Sequence, residues 1–239
     1  MPEPSKKQTR ATETVTRTLL VAFLVSLVCS SFVASAAVLL KPRQVANALM
    51  DMRRNILDVA GLLDPEGDVN ESYEQIEQRV VDLETGAYIE MLDVDRSSEQ
   101  GIVYLVQTDE ELRRIILPVS GPGLWSTLYG FIALEPDADT IADITFYAHA
   151  ETPGLGDFIS KPEWRAIWRG KRAFDDSGKL RIQVIKGQVP IDDPLADYRV
   201  DGVSGATLTG TGVSELVRHW LGDDGYGPYL RRIRQGDRP

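Results

Sequence analysis

Between Arg17 and Lys41 the chain runs for 23 residues, 18–40, without a charged side chain. As a helix rising 1.5 Å per residue, that stretch reaches about 34 Å, enough to cross a hydrocarbon core of roughly 30 Å. It therefore reads either as a membrane span or as a signal peptide that is removed. Ala34-Ser35-Ala36 has the small-residue spacing of a cleavage site. Against cleavage, the apolar part of a signal peptide is usually ~7–15 residues, and here Val38, Leu39 and Leu40 carry the run past that site. The expectation is a retained anchor at 18–40, with a tail at 1–17 and a single domain at 41–239. Lys6, Lys7, Arg10 and Arg17 precede the span and Lys41, Arg43, Arg53 and Arg54 follow it, so positive charge alone leaves the orientation near a tie. A short tail inside with the large domain exported is the usual arrangement for one amino-terminal anchor. Cys29, inside the span, reads as a small apolar residue of the helix.

Composition removes several classes of function. Lys plus Arg number 26 against 36 Asp plus Glu, a net charge of −10, which opposes nucleic-acid binding because phosphates need the opposite sign. One cysteine and two histidines cannot build a disulfide, a CxxC site or a multi-histidine metal centre. The pairs Asp192-Asp193 and Asp223-Asp224 read as solvated turns rather than calcium or sodium ligands. Ser204 has no evident activating base, so a hydrolase serine is a poor reading. No strand–GxGxxG–helix unit is present, so a nicotinamide site is not expected. Chemistry in this chain would come from a borrowed cofactor.

The part after the span alternates helices and strands, and the class expected is α+β. Leu49, Met52, Ile56, Val59 and Leu63 are spaced by three or four, predicting a helix over 43–63. Ser72 and Gln75 form a capping-box pattern, with Ile76, Val80 and Leu83 continuing a second helix to Gly86. Strands are expected at 87–92, 101–107, 112–117, 129–134, 141–150 and around Leu180, Ile182 and Val184. Ser160-Lys161-Pro162-Glu163 predicts a helix start with Ser160 as its cap, followed by the stripe Trp164, Ile167 and Trp168. Val213, Leu216, Val217, Trp220 and Leu221 give a final amphipathic helix that starts near Thr211 and closes at Gly222. His219 falls off its apolar face, and His149, at a strand end, reads as a structural histidine.

Before that helix stands Asp201-Gly202-Val203-Ser204-Gly205-Ala206-Thr207-Leu208-Thr209-Gly210-Thr211-Gly212. Small residues let a ligand approach the backbone, hydroxyls can hydrogen-bond it, and a helix amino terminus favours phosphate. By composition alone the segment is equally a polar loop with a hydroxyl cap. Its first seven residues resemble the flavinylation motif of proteins that carry FMN through a phosphoester to threonine. Further similarity covers the anchor, Arg54-Asn55-Ile56-Leu57, Glu151-Thr152-Pro153-Gly154-Leu155-Gly156, Trp220-Leu221-Gly222 and Gly225-Tyr226-Gly227-Pro228-Tyr229. In that order, over nearly the whole length, these resemble the C subunits of sodium-translocating NADH:quinone oxidoreductases.

The resemblance implies one transmembrane helix followed by an extracytoplasmic, covalent FMN-binding domain, on the periplasmic side of a cell inner membrane. It implies FMN on Thr207, with Ser204, Gly205, Ala206 and Thr209 around it; Thr209 is a second acceptor by chemistry alone. It brings Thr152 and Leu155 near the ring, with Glu151 in the same segment and Gly156 allowing close approach. Leu124 and Trp125 join the pocket, Trp125 either stacking on the flavin or anchoring the core. Asp201 and Gly202 belong to the motif a flavin transferase reads, and Asp201 can also hold its turn by an Asx-type bond. Partners implied are the other membrane subunits, the transferase and the lipid bilayer, with no metal. NADH oxidation, quinone reduction and sodium movement would belong to the assembled complex, since a lone uncharged span is a poor ion path. Two alternatives stand beside this reading. One is the flavin subunit of the related ferredoxin:NAD oxidoreductase complex; the other is an anchored extracytoplasmic binding module without a redox cofactor.

Overall fold

A computed structural model describes residues 15–89, 100–109 and 111–237. The expected tail up to residue 14 and the end of the strand expected at 87–92 lie outside them. The chain divides into two compact units, residues 1–49 and 50–239. Helix α1 (Val15–Ala60) supplies the described part of the first and continues into the second; it is long and apolar enough to cross a membrane, and its side chains up to Met50 are exposed. Gly61, with φ +74°, stops this helix where a side chain would resist the turn.

The second unit is built on a six-stranded antiparallel sheet. Its strands are β1 (Ile76–Asp82), β2 (Tyr88–Ile89), β3 (Gln100–Thr108), β4 (Glu111–Pro122), β5 (Thr127–Leu134) and β6 (Ile141–Ala148). They lie in the order β2-β1-β3-β4-β5-β6, a meander apart from the hairpin that puts β2 outside β1. Both faces are covered, which explains the near-continuous apolar runs. Val103, Leu105, Ile115, Leu117, Leu128 and Ile132 face one core, shared with helices near the carboxyl end. Tyr104, Val106, Ile116, Phe131 and Ala133, one residue out of phase, face the other, where Ile56, Leu57, Val59 and Ala60 of α1 pack.

The helix expected from Ser72 onward is not formed. Helix α2 is only Val69–Tyr73, capped by the Asp68 carboxylate accepting from Asn70 N, and Ile76 opens β1. Ile76, Val80 and Leu83 match a helical period, but the segment pairs with β3 over its full length, from Ile76↔Val106 to Asp82↔Gln100, and buries Ile76 and Val81 in opposite cores.

After β6 a 3-10 turn (Gly156–Ser160) leads into the short α3 (Pro162–Ala166). Lys161, not Ser160, is its cap residue, because the Ser160 hydroxyl donates back to Asp157 O. Trp164 and Trp168 of the expected stripe are buried, with Ile167 at the edge. Arg165 then binds two elements: its guanidinium donates to Asp58 of α1 (2.7 Å), and to buried Asp143 (3.1 Å) and Ile144 O (2.7 Å) of β6. The expected strand at 180–184 shrinks to β7 (Gln183–Val184), paired in parallel with β8 (Arg199–Val200). Two helices close the chain: α4 (Thr207–Leu221), ended by Gly222, and α5 (Gly227–Arg234). Helix α4 lies against β4 and β7, and so brings the segment before it to the end of the sheet.

Candidate functional site

Helix α4 starts at Thr207, four residues before the expected Thr211. Gly210 and Gly212 look like loop residues, yet both lie in its first turns, where close neighbours crowd the space a side chain would take. A Cβ on Gly212 would stand 2.8 Å from Pro122 O, and one on Gly210 would stand 3.3 Å from Val184. Ala206 is the cap residue and supplies no side-chain cap, so the first-turn N–H groups lack the partner a hydroxyl cap would give.

Three segments meet at this helix start around a cavity of about 200 Å³. Gly205, Ala206, Thr207, Leu208 and Thr209 form one wall, Glu151, Thr152, Leu155 and Gly156 a second, and Leu124 a third. Trp125 borders it by donating from Nε1 to Thr152 Oγ1 (3.1 Å). At 69% exposed, Trp125 is not a core anchor, the other role its sequence setting allowed. Leu124, Leu155 and Leu208 are also exposed, so four large apolar side chains ring the opening. Leu208 was not expected here. Its signal was an apolar residue about 140° off the stripe through Val213, at ~100° per residue.

The centre of the arrangement is Glu151, buried at 5% exposure. Its Oε1 accepts from the backbone N–H of Leu124 (2.8 Å) and Trp125 (3.3 Å), and its Oε2 accepts from Thr209 Oγ1 (2.6 Å). The Glu151 N–H donates to His149 Nδ1 (3.3 Å), which gives that histidine a backbone partner. One carboxylate thus joins the turn after β4, the segment after β6 and the first turn of α4. It also accounts for two glycines. A Cβ on Gly123 would come within 2.6 Å of Oε1, and one on Gly156 within 2.8 Å of Oε2 and 2.9 Å of Thr209 Oγ1. Close approach at Gly156 is therefore that of Glu151 and Thr209.

The hydroxyls of the loop fall into distinct states. Thr209 is 1% exposed and donates to Glu151. Thr211 donates to Thr207 O (2.9 Å) and does not line the cavity. Ser204 is exposed but lies off the lining. Thr207 is exposed and lines the cavity, and its hydroxyl has no protein partner among the described residues.

Asp201 and Gly202 stand outside the cavity and hold the loop from behind. Asp201 Oδ1 accepts from Val189 N (2.8 Å), a bond across twelve residues rather than a local Asx turn, and its carbonyl accepts from Trp164 Nε1 (2.8 Å). Gly202 N donates to Gly187 O (2.8 Å), and a Cβ there would meet Ile185 O at 2.1 Å. His219 is exposed, as expected. Among the described residues no cluster of three His, Cys, Asp or Glu is placed to hold a metal. A larger cavity of about 480 Å³ lies between the start of β4 and α5, lined by Glu111, Leu112, Arg113, Pro136, Ile233, Arg234 and Gly236. Among the described residues that line it there is no expected site residue and no hydroxyl or thiol.

An exposed, unbonded threonine at an uncapped helix start, inside an apolar ring, can carry a phosphoryl group and seat a flat apolar body beside it. The sequence of residues 123–222 matches the FMN-binding domain family. The C subunit of the Na(+)-translocating NADH-quinone reductase of Pseudomonas aeruginosa is 43% identical over 256 residues, covering 94% of this chain and 98% of that protein. The Yersinia pestis protein of the same name is 42% identical over 258 residues, covering 95% and 96%. Among solved structures, NqrC of Shewanella oneidensis superposes with a TM-score of 0.69 at 30% identity, covering 78% of this chain and 97% of that one. The corresponding reductase chain of Parabacteroides distasonis gives 0.67 at 30% identity, covering 80% and 96%.

Proposed function

The chain belongs to the C-subunit family of the Na(+)-translocating NADH-quinone reductase and is an electron-transfer flavin subunit of that oxidoreductase, with FMN as its cofactor; we propose that the FMN is carried through a phosphoester on Thr207. The observation that carries this proposal is the state of the loop hydroxyls. Thr207 alone among Ser204, Thr207, Thr209 and Thr211 is exposed, lines the cavity and, among the described residues, is free of a protein partner. Thr209, the other acceptor by chemistry, is buried and bonded to Glu151.

Bound FMN supplies reversible electron uptake and release, and the chain supplies position and access. The free N–H groups at the start of α4 favour the phosphodiester charge by about 0.3–1 kcal/mol. Leu124, Trp125, Leu155 and Leu208 offer an apolar seat for the ring, and Gly205, Ala206, Thr152 and Gly156 complete its surroundings. Asp201 and Gly202, in the motif a flavin transferase reads, keep the loop rigid while the enzyme approaches Thr207. The apolar part of α1 holds the protein in the lipid bilayer beside the other subunits, with the compact unit on the periplasmic side of the inner membrane. A covalent bond suits that side, because no flavin pool there replaces a lost cofactor.

The test is in-gel fluorescence of denatured full-length protein, made with and without a flavin transferase, for wild type and Thr207→Ala. Expected is transferase-dependent fluorescence that survives denaturation and disappears in Thr207→Ala, with a mass increase of one FMN less one water. Fluorescence retained by Thr207→Ala, or none in wild type with a working transferase, overturns the assignment.

A further inference from the structure

The cavity at Thr207 has an unusual charge for a flavin phosphate. Among the described residues none of those lining it is cationic, and the one ionisable group is the buried carboxylate of Glu151. That carboxylate already stands at the α4 amino terminus, where Oε2 accepts from Thr209 Oγ1 in the first turn. It therefore partly neutralises the positive end of the helix that would otherwise attract an incoming phosphate. Free FMN carries about −1.5 to −2 on its phosphate at neutral pH, by analogy with other phosphomonoesters, whereas a phosphodiester carries about one charge.

Building on the covalent reading of Thr207, we propose that Glu151 sets the ligand specificity of this cavity. Its fixed negative charge discriminates against free flavin phosphates, so the site accepts the uncharged flavin body and admits the phosphate only once esterification has removed part of its charge. The covalent bond then has a second use beyond tethering: it converts a repelled dianion into a tolerated monoanion. Glu151 cannot move aside without breaking three hydrogen bonds and opening the space against which Gly123 and Gly156 are packed.

The experiment compares riboflavin with FMN, which differ only in the phosphate. Both are titrated by equilibrium dialysis at neutral pH against full-length Thr207→Ala, Thr207→Ala/Glu151→Gln and Thr207→Ala/Thr209→Val. Glu151→Gln keeps the shape and the accepted N–H bonds while removing the charge; Thr209→Val keeps the charge while removing the bond. Expected is FMN binding tightened roughly tenfold by Glu151→Gln, the effect of deleting one charge from a partly screened site, with riboflavin binding unchanged. Thr209→Val is expected to give no such gain for FMN. The proposal is overturned if Glu151→Gln fails to tighten FMN, if it tightens both flavins equally, or if Thr209→Val reproduces the gain. Failure of the covalent reading shows separately, as fluorescence of transferase-treated Thr207→Ala on the denaturing gel.

Discussion

Gly156→Ala isolates the packing around Glu151. The φ angle of Gly156 is not in the left-handed region, so the backbone accepts alanine and the cost is steric. The added methyl would stand 2.8 Å from Glu151 Oε2, 2.9 Å from Thr209 Oγ1 and 3.0 Å from Glu151 Cβ. The carboxylate must turn away, losing its bond to Thr209, and a hydrogen bond to a charged group is worth about 1.5–3 kcal/mol. Residual crowding adds about 1 kcal/mol, and the lower entropy of the unfolded alanine chain returns about 0.4–1 kcal/mol. The net loss is about 2–3 kcal/mol, which for a unit of this size lowers Tm by roughly 4–12 °C. Tryptophan fluorescence on heating the full-length protein reads it directly. Gly154→Ala is the contrast, since Gly154 has φ +74° and open space around its missing Cβ. Its cost is the left-handed backbone alone, about 1–2 kcal/mol. If Gly156 acts through the Glu151–Thr209 bond, Gly156→Ala and Thr209→Val together cost less than their sum. A Tm for Gly156→Ala within about 1 °C of wild type, or strict additivity with Thr209→Val, refutes the reasoning.

Two further outcomes follow from groups away from the cavity. Arg165→Met removes the guanidinium that joins Asp58, Asp143 and Ile144 O, leaving Asp143, 5% exposed, short of one partner. Breaking a buried pair from one side costs about 3 kcal/mol, and an unchanged urea midpoint contradicts the account. Burial, with Tyr73 and Tyr147 adding to it, pushes the Tyr104 hydroxyl up to about 12 from 10.0. Its folded pKa being raised, the stabilisation is complete below pH 10 and is lost as pH rises towards about 12. Ultraviolet titration of native protein should therefore lose one late-ionising phenol in Tyr104→Phe, and a Tyr104 that ionises near 10.0 contradicts the assignment.

Much of the sheet was legible in the sequence because its strands carry β-branched and aliphatic runs bounded by turn residues. Ile-Val-Tyr-Leu-Val in β3 and Phe-Ile-Ala-Leu in β5 supply both cores at once. Where the sequence misled, a long-range partner decided. Ile76, Val80 and Leu83 have helical spacing, and ladders with β3 and β2 turn the segment from Ile76 into strand. Helix α4 reads from sequence as starting late because Gly210 and Gly212 lower helix propensity, by about 1 kcal/mol each. Nothing local reveals that Pro122 O and Val184 occupy the space beside them. Propensity counts the cost of a glycine, while the close approach it permits is a property of the neighbour.

The site was legible to the same limit. Its residues fall in three separate stretches, and resemblance named nearly all of them, yet the relation that organises them is a bond between Glu151 and Thr209 across 58 residues. That bond changes how the named residues are understood. Thr209 resembles Thr207 in chemistry and in its nearness to the helix start, and only burial against the carboxylate separates them. Gly156 reads in sequence as room for a ligand and in the fold makes room for Glu151. Asp201 reads as a local turn residue and in the fold ties down the chain near Val189. In each case the residue type was visible and its partner was not, because an acceptor such as a carboxylate gives no sequence mark of which donor will reach it. The burial of Glu151 and its three hydrogen bonds therefore follow from the folded arrangement alone, and the electrostatic role proposed for it at Thr207 rests on that arrangement.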